Sequence, residues 1–154
     1  MNRPRIVIAG TQSGAGKTSV SLALMASLTR AGHRVQAFKV GPDYIDPSYH
    51  KVATGRPSHN LDSWLLSKET VQWLFQEKSQ GADISIIEGV MGLYDGFSST
   101  DETSSTAQIA KLLDAPVVLV IDAHGMSRSV AAMVKGYQQF DRELKFSGVI
   151  LNKV

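Results

Sequence analysis

The pattern of apolar positions divides the chain into short hydrophobic runs separated by more polar segments. Five runs are rich in Ile and Val and show little alternation with polar residues; they lie at 6–9, 35–40, 84–87, 117–121 and 146–151. Continuous apolar runs of this length are typical of strands that are buried on both faces of a parallel sheet. The pattern therefore predicts five strands in the interior of the fold.

Helical spacing of apolar residues occupies most of the intervals between these runs. Residues 17–31 are apolar on most faces, which predicts a well-buried helix that stops at Gly32. Further helices are predicted at 67–80, 105–114 and 130–137, the second of them opened by a Ser–Gln capping box. The stretch 43–60 is polar and is predicted to be irregular, with room for a short helix near residues 48–53.

Strands and helices alternate along the whole chain, and no repeat or linker interrupts them. This order predicts one three-layer α/β domain over residues 1–154, with a mainly parallel sheet covered by helices on both faces. Ligands of such sheets bind beyond the carboxyl ends of the strands. The polar candidate groups all follow predicted strands, at 10–18, 39–46, 88–95, Asp122 and Asn152.

A glycine-rich turn joins the first run to the first predicted helix. Its sequence from Gly10, G-T-Q-S-G-A-G-K-T, has the layout of a phosphate-binding P-loop, although the first glycine stands one residue before its usual place at Thr11. Backbone amides and the helix N-terminus attract phosphate, while Lys17 is expected to reach the terminal phosphates and the Thr18 hydroxyl to bind Mg²⁺. We predict a P-loop NTPase fold whose nucleotide contacts Thr11, Gln12, Ser13, Gly14, Ala15, Gly16, Lys17 and Thr18.

The end of the second run carries a lysine and two carboxylates, in K-V-G-P-D-Y-I-D-P. Asp43 and Asp46 are spaced to hold Mg²⁺ or to polarise a substrate, and Lys39 can neutralise a phosphoryl group in transfer. The alternative is turn chemistry, because Gly-Pro and Asp-Pro favour turns and Asp46 could cap a helix before Pro47. The neighbouring P-loop favours the functional interpretation.

Glu88 ends the third run and opens the segment E-G-V-M-G-L-Y-D-G. An unpaired carboxylate at the end of a buried strand is destabilising, and a metal ion at the nucleotide site would compensate for it. The alternative is a solvated strand end followed by a flexible loop. We expect Asp43, Asp46 and Glu88 to serve the chemistry more than the folding, since clustered carboxylates repel one another unless Mg²⁺ and lysines offset their charge.

Composition and charge exclude several classes of protein. There is no cysteine, which excludes disulfides and thiolate chemistry within this chain and fits a reducing, cytoplasmic location. The net charge is only +2 with the charges spread out, so neither nucleic acid nor a membrane is expected as a partner. No apolar run approaches the length of a membrane span, and we expect no signal peptide before the first strand.

Four segments together resemble one enzyme family. They are A-G-T-Q-S-G-A-G-K-T, F-K-V-G-P-D-Y-I-D-P-S-Y-H, T-G-R-P-S-H-N-L-D and E-G-V-M-G-L-Y-D-G. The chain is similar, over essentially its whole length, to the N-terminal ATP-binding part of cobyrinic acid a,c-diamide synthase. Dethiobiotin synthetase shares the predicted fold and a G-T-x-x-x-x-G-K-T loop, and cobyric acid synthase is similar but differs after the second strand.

The resemblance implies a glutamine-hydrolysing, ATP-dependent carbon–nitrogen ligase of cobalamin biosynthesis. Such enzymes amidate the a and c acetate carboxylates of cobyrinic or hydrogenobyrinic acid through an acyl phosphate, with Mg-ATP as cofactor. The implied catalytic residues are Lys17, Lys39, Asp43, Asp46 and Glu88, and the implied Mg²⁺ ligands are Thr18, Asp43, Asp46 and Glu88. Asn152 is expected near adenine, and the tetrapyrrole is expected to contact Tyr44, Tyr94 and Asp95.

The family makes its ammonia in a C-terminal glutaminase domain that uses a cysteine nucleophile. Because this chain has no cysteine, we interpret residues 1–154 as an ATP-binding amidoligase domain of a longer protein. Such a domain activates carboxylates but does not hydrolyse glutamine. The glutaminase domain is its expected partner, and a homodimer is left open.

Two alternatives compete with this interpretation. Nickel-sirohydrochlorin a,c-diamide synthase would act by the same chemistry on another tetrapyrrole with acetate side chains, and the sequence does not separate the two. A regulatory switch ATPase of the partitioning or septum-site type would instead dimerise on nucleotide. Those proteins carry an additional lysine five residues before the P-loop lysine, and here that position is Gln12.

Overall fold

The computed structural model describes residues 3–154, which form a six-stranded sheet and five helices. The strands are β1 (Arg5–Gly10), β2 (Val35–Val40), β3 (His59–Leu61), β4 (Ile84–Glu88), β5 (Val117–Asp122) and β6 (Phe146–Asn152). The helices are α1 (Lys17–Arg30), α2 (Ile45–Thr54), α3 (Lys68–Lys78), α4 (Thr106–Leu112) and α5 (Ser129–Phe140). None of these helices has the length and apolar character needed to cross a membrane.

The strands lie in the order β3-β2-β4-β1-β5-β6, and every neighbouring pair is parallel. The register places Ile8 of β1 and Lys39 of β2 on either side of Glu88 in β4. Since all strands run the same way, the carboxyl ends of β1, β2 and β4 meet at one edge of the sheet. The expected adjacency of the P-loop, Lys39 and Glu88 is therefore confirmed.

Successive side chains of the strands point to opposite faces, and each face is covered by helices. The face under α1 carries a small core whose buried members are Ile8, Met25, Val35, Ala37, Ile86 and Val120. The face under α3 and α4 carries a larger core that includes Val7, Phe38, Leu61, Val71, Phe75, Ile87, Ile109 and Leu119. The predicted α/β class, with a sheet buried on both sides, is confirmed.

Two expectations about individual elements were wrong. Residues 43–60 are more regular than expected: the short helix allowed at 48–53 is confirmed as part of the longer α2, and His59 and Asn60 belong to the edge strand β3, which pairs with β2. Helix α1 is not buried on most sides: its buried residues are Lys17, Ser21 and Met25, because one face rests on the sheet and the others are partly exposed. The predicted cap of α4 is confirmed, since the Ser105 side chain accepts a hydrogen bond from the amide of Gln108.

The long segment between β4 and α4 packs back onto the end of β1. The amide of Leu93 donates to the carbonyl of Gly10 at 2.8 Å, and the amide of Ala107 donates to the carbonyl of Leu93 at 2.9 Å. The Thr106 hydroxyl also accepts from the amide of Val90 at 2.9 Å. These bonds fix the loop after Glu88 beside the P-loop, where the sequence had allowed a flexible loop.

The larger core provides a first test of the fold. Phe38 is completely buried, and its ring centroid lies 5.1 Å from that of Phe75. Phe38→Ala should lower the free energy of unfolding by about 3–5 kcal/mol, because it removes apolar contacts and leaves a cavity. Trp73→Ala, at a position on α3 that is 60% exposed, should change it by less than about 0.5 kcal/mol. Urea unfolding followed by circular dichroism measures both values, and equal losses would contradict the packing described.

Candidate functional site

The turn between β1 and α1 forms a cradle of main-chain groups. Gly14 and Gly16 adopt φ values of 78° and 107°, in the region that residues with side chains rarely occupy. Gly16 is the N-cap of α1, and within residues 3–154 this helix has no side-chain capping hydrogen bond at its start. These amides and the partial positive charge of the helix N-terminus suit the turn to an anion such as phosphate.

Lys17 folds back from α1 over Gly10. A Cβ atom at position 10 would lie only 3.0 Å from Cγ of Lys17, so the early glycine of the motif makes space for the lysine. The Lys17 Nζ donates to the carbonyl of Gln12 at 3.2 Å and to that of Met91 at 2.6 Å. Burial and the charge of Lys39 lower the pKa of Lys17. The ammonium group thus joins the P-loop to the loop after β4.

Glu88 is fully buried and is contacted from three other elements of the fold. Its Oε1 accepts from the Thr18 hydroxyl at 2.6 Å and lies 3.6 Å from Nζ of Lys39, while its Oε2 lies 2.7 Å from Nε2 of His50. Burial acts to raise the pKa of Glu88, but the bond from His50, the charge of Lys39 and the bond from Thr18 outweigh it. The pKa is therefore held below its ordinary value, and Glu88 is an ionised, fully partnered carboxylate.

Lys39 lies between two carboxylates and is itself buried. Its Nζ donates to the carbonyl of Gly89 at 2.7 Å and lies 3.3 Å from Oδ2 of Asp46. Burial and the nearby Glu88 raise the pKa of Asp46, although Lys39 acts in the opposite direction. The positive charge of Lys39 thus offsets the negative charges of Glu88 and Asp46, as expected from the sequence. Through Lys39, Asp46 joins the cluster around Glu88.

His50 completes the cluster and was missed by the sequence reasoning. It is fully buried on α2, with one ring nitrogen on Glu88 and the other, Nδ1, 3.0 Å from the Ser58 hydroxyl. The expected helix at 48–53 contained this histidine, which was the available signal. Its contact could not be deduced, because it depends on α2 packing beside the end of β4.

Asp43 has a different environment from Asp46. Its Oδ1 accepts from the amides of Ile45 at 2.8 Å and Asp46 at 3.1 Å, which are the first amide groups of α2. The turn chemistry that the sequence left open for Asp46 is therefore carried by Asp43. Tyr44 follows it with 91% of its surface exposed, beside the strand ends.

The other two residues predicted to contact substrate make internal contacts. The Tyr94 hydroxyl donates to the carbonyl of Tyr137 at 2.5 Å, and the two rings stack with centroids 5.5 Å apart. Burial, with the charge of Asp141, raises the pKa of Tyr94 to about 12. The Asp95 carboxylate accepts from the amide of Gly92 at 3.0 Å and so shapes the loop after β4.

The end of β6 contacts the P-loop. The Asn152 amide donates to the carbonyl of Ala15 at 3.0 Å, and Nζ of Lys153 donates to the carbonyl of Gly14 at 3.0 Å and contacts Asp122 at 2.7 Å. A Cβ atom on Gly16 would overlap the Asn152 amide, so this position requires glycine. Asn152 thus lies against the nucleotide cradle, and Lys153 is a second contact that sequence reasoning missed.

The donor atoms suit a metal ion that arrives with phosphate. Residues 3–154 contain no group of three or more His, Cys, Asp and Glu side chains that could hold a metal alone. Mg²⁺, however, is usually held by one or two carboxylates together with substrate phosphates. The hydroxyl of Thr18 and the carboxylate of Glu88 supply adjacent oxygen atoms beside the P-loop. The residues therefore fit a magnesium–nucleotide complex.

The capping role of Asp43 can be separated from a role of its charge. Asp43→Ala should lower the free energy of unfolding by about 1 kcal/mol because α2 loses its first hydrogen bonds, whereas Asp43→Asn should stay near the parent because Asn caps equally well. Thermal unfolding of both variants makes the comparison. If Asp43→Ala is as stable as the parent, Asp43 does not stabilise the start of α2.

Comparison with known proteins agrees with the geometry. Residues 6–154 match the family described as CobQ/CobB/MinD/ParA nucleotide binding domain. The chain is 58% identical over 151 residues to a hydrogenobyrinate a,c-diamide synthase of Streptomyces coelicolor, covering 98% of this chain and 31% of the relative. It is 54% identical over 153 residues to a cobyrinate a,c-diamide synthase of Syntrophotalea carbinolica, covering 99% and 33%. The chain thus spans about a third of the length of these curated relatives.

A solved structure shares the architecture at much lower identity. The signal recognition particle receptor FtsY from Elizabethkingia anophelis, in complex with GDP, superposes with a TM-score of 0.63 at 17% identity, covering 97% of this chain and 48% of that one. This likeness concerns the fold alone, and it confirms the predicted P-loop NTPase fold. The match over residues 6–154 shows that the chain belongs to the CobQ/CobB/MinD/ParA nucleotide-binding domain family.

Proposed function

We propose that residues 1–154 are the ATP-binding amidoligase part of an a,c-diamide synthase that acts on a corrin-type acid. The observation that carries the proposal is the cluster around Glu88, which accepts a hydrogen bond from Thr18 of the P-loop and forms an ion pair with Lys39. This cluster places opposite charges beside the phosphate cradle. The names of the two relatives described above support the same activity.

The proposed chemistry overcomes the low reactivity of a carboxylate toward ammonia. A carboxylate oxygen of the substrate attacks the γ-phosphorus of ATP, the bond to the β,γ-bridging oxygen breaks, and ADP leaves. Ammonia then attacks the carbonyl carbon of the acyl phosphate. The carbon–oxygen bond to phosphate breaks, inorganic phosphate leaves, and the nitrogen loses a proton to give the amide.

The side chains contribute mainly charge and position, which is how phosphoryl transfer is generally catalysed. Lys17 and Lys39 would stabilise the negative charge on the transferring group. Thr18 and Glu88, with Asp46 or Asp43, would hold Mg²⁺, which when bound neutralises phosphate charge. Asp46 is better placed than Asp43, because it already contacts Lys39 whereas an oxygen of Asp43 caps α2.

Substrate and nucleotide contacts are proposed for the remaining residues. The exposed ring of Tyr44 would contact a tetrapyrrole directly, and Tyr94 and Asp95 would act by holding the loop after β4. Asn152, which lies against the P-loop, would contact adenine. Ammonia would come from glutamine through a glutaminase part outside these residues, since the 154 residues contain no thiol.

The nucleotide part of the proposal is tested with Lys17→Ala. This variant should lose measurable binding of Mg-ATP in titration calorimetry, because it lacks the ammonium that faces the phosphates. Lys145→Ala is the matched control, since Lys145 is exposed and pairs with Asp114 away from the P-loop. ATP affinity equal to that of the parent in a folded Lys17→Ala protein would refute the assignment of the P-loop.

The chemical step is tested with ammonium ions as the nitrogen source and cobyrinic or hydrogenobyrinic acid as the substrate. Glu88→Gln and Asp46→Asn should reduce amide formation by about 10²-fold or more, because groups that act on the transition state are removed. Glu77→Gln, on the exposed side of α3, is the matched control. Product is measured by chromatography, and thermal unfolding verifies that each variant is folded.

Four outcomes would count against the proposal. Folded Glu88→Gln and Asp46→Asn proteins that amidate at the parent's rate would assign these carboxylates to structure. Amide formation from glutamine alone would contradict the assignment of glutamine hydrolysis to another part of the protein. If nickel sirohydrochlorin is amidated faster than cobyrinic acid, the substrate is that tetrapyrrole. If the protein dimerises with ATP but forms no amide, a switch ATPase is favoured.

A further inference from the structure

An apolar pocket, not used in the mechanism above, opens beside the carboxyl ends of β2 and β4. It has a volume of about 250 Å³. Its wall is the aromatic pair of Trp64 and Phe97, whose rings stack with centroids 4.0 Å apart and planes 18° apart. These two side chains are 56% and 66% exposed, although they are among the largest apolar groups of the chain. Leu65, Val90 and Met91 add further apolar lining.

Two buried oxygen atoms belong to residues that line this pocket. Oδ2 of Asp62 and Oγ of Ser104 have no hydrogen-bond partner within residues 3–154. Asp62 exposes only 5% of its surface, and its other oxygen accepts from the amide of Trp64 at 2.8 Å, which fixes the carboxylate. Buried polar atoms are normally paired, so these two indicate a ligand that supplies a hydrogen-bonding edge.

Backbone strain is also concentrated here. Met91 and Ser104 have positive φ values of 47° and 66°, although neither is glycine. Such conformations persist only where the surrounding structure holds them, and they are frequent at ligand sites. The strain, the unpaired oxygens and the exposed aromatic pair are three separate observations at one place.

The pocket adjoins the phosphate cradle. The carbonyl of Met91 accepts from Nζ of Lys17 at 2.6 Å, and Gly41, which also lines the pocket, follows Lys39 closely in the chain. An occupant that reaches from the aromatic wall to Lys17 and Lys39 must therefore combine an apolar surface with an anionic group, such as a carboxylate. A second copy of the chain would have to insert an apolar surface and a carboxylate together into a concave site. A tetrapyrrole acid carries both groups in one molecule.

We infer that this pocket binds one ring of the tetrapyrrole substrate and directs an acetate side chain toward Lys17 and Lys39. The inference rests on the proposed function. Pockets that enclose whole drug-sized ligands usually measure about 300–1,000 Å³, so this smaller one suits a single reduced pyrrole ring with its substituents. The conjugated macrocycle packs on Trp64 and Phe97, and the oxygens of Asp62 and Ser104 bond polar groups at its edge.

Binding is measured by tryptophan fluorescence in the 154-residue chain. The chain has two tryptophans, so Trp73→Phe leaves Trp64 as the only reporter, which cobyrinic acid should quench. Adding Phe97→Ala should raise the Kd for cobyrinic acid by about tenfold or more, because an aromatic surface is lost. The Kd for Mg-ATP should not change. Phe140→Ala, at an exposed aromatic position on α5, is the matched control for both ligands.

Ser104→Gly separates binding from stability. Glycine relieves the strained φ, so the melting temperature should rise, while loss of the hydroxyl should weaken cobyrinic acid binding several-fold. A residue with only a structural role would not give these opposite signs. The affinity is measured by the same fluorescence titration, in the Trp73→Phe background.

The outcomes distinguish this inference from the proposed function. If Phe97→Ala and Ser104→Gly bind cobyrinic acid as tightly as the parent, the pocket assignment is wrong while the amidation reaction stands. If the parent binds Mg-ATP but not cobyrinic acid, the substrate of the proposed function fails and this inference fails with it. If Phe97→Ala instead lowers the sedimentation mass at unchanged Kd, the surface is a contact between copies and the inference is overturned.

Discussion

One buried charge constrains the rest of this structure. An ionised carboxylate cannot remain in the interior without compensation, and Glu88 obtains it from Thr18, Lys39 and His50. These partners belong to α1, β2 and α2, so a single carboxylate fixes the start of the P-loop helix relative to half of the sheet. Loss of any one partner would leave one contact of this carboxylate unmade in a medium of low polarity. The pairing is thus a constraint on position as much as a source of stability.

The candidate site is divided between rigid and adaptable parts. The charged groups, Lys39 and Glu88, stand at the ends of adjacent strands in register, where the sheet defines their separation. Fixed charges of this kind need little reorganisation when a phosphoryl group moves between oxygens. The aromatic wall formed by Trp64 and Phe97 lies outside the strands and helices, where shape varies more readily. In the function proposed above, chemistry and recognition of shape would therefore be carried by different kinds of structure.

The features that could be predicted from the sequence are those with a local signature. Apolar runs identified the five long strands, and the glycine–lysine–threonine pattern identified the P-loop. Strand β3 was missed because it has three residues and two of them, His59 and Asn60, are polar. The contact of His50 with Glu88 and that of Lys17 with the Met91 carbonyl depend on β4 lying between β1 and β2. A main-chain carbonyl has no sequence signature, and strand order is a property of the whole chain.

The central position of β1 also has a consequence for how the chain is made. Both neighbours of β1 are encoded later, and Thr18 is separated from Glu88 by 70 residues. At about 5–20 residues per second, a ribosome needs about 4–14 s to add that interval. Throughout this interval, β1 of the nascent polypeptide has neither β4 nor β5 to pair with. The strand order that brings the P-loop and Glu88 together thus leaves the apolar β1 without a strand partner during this interval, when a chaperone would have reason to bind it.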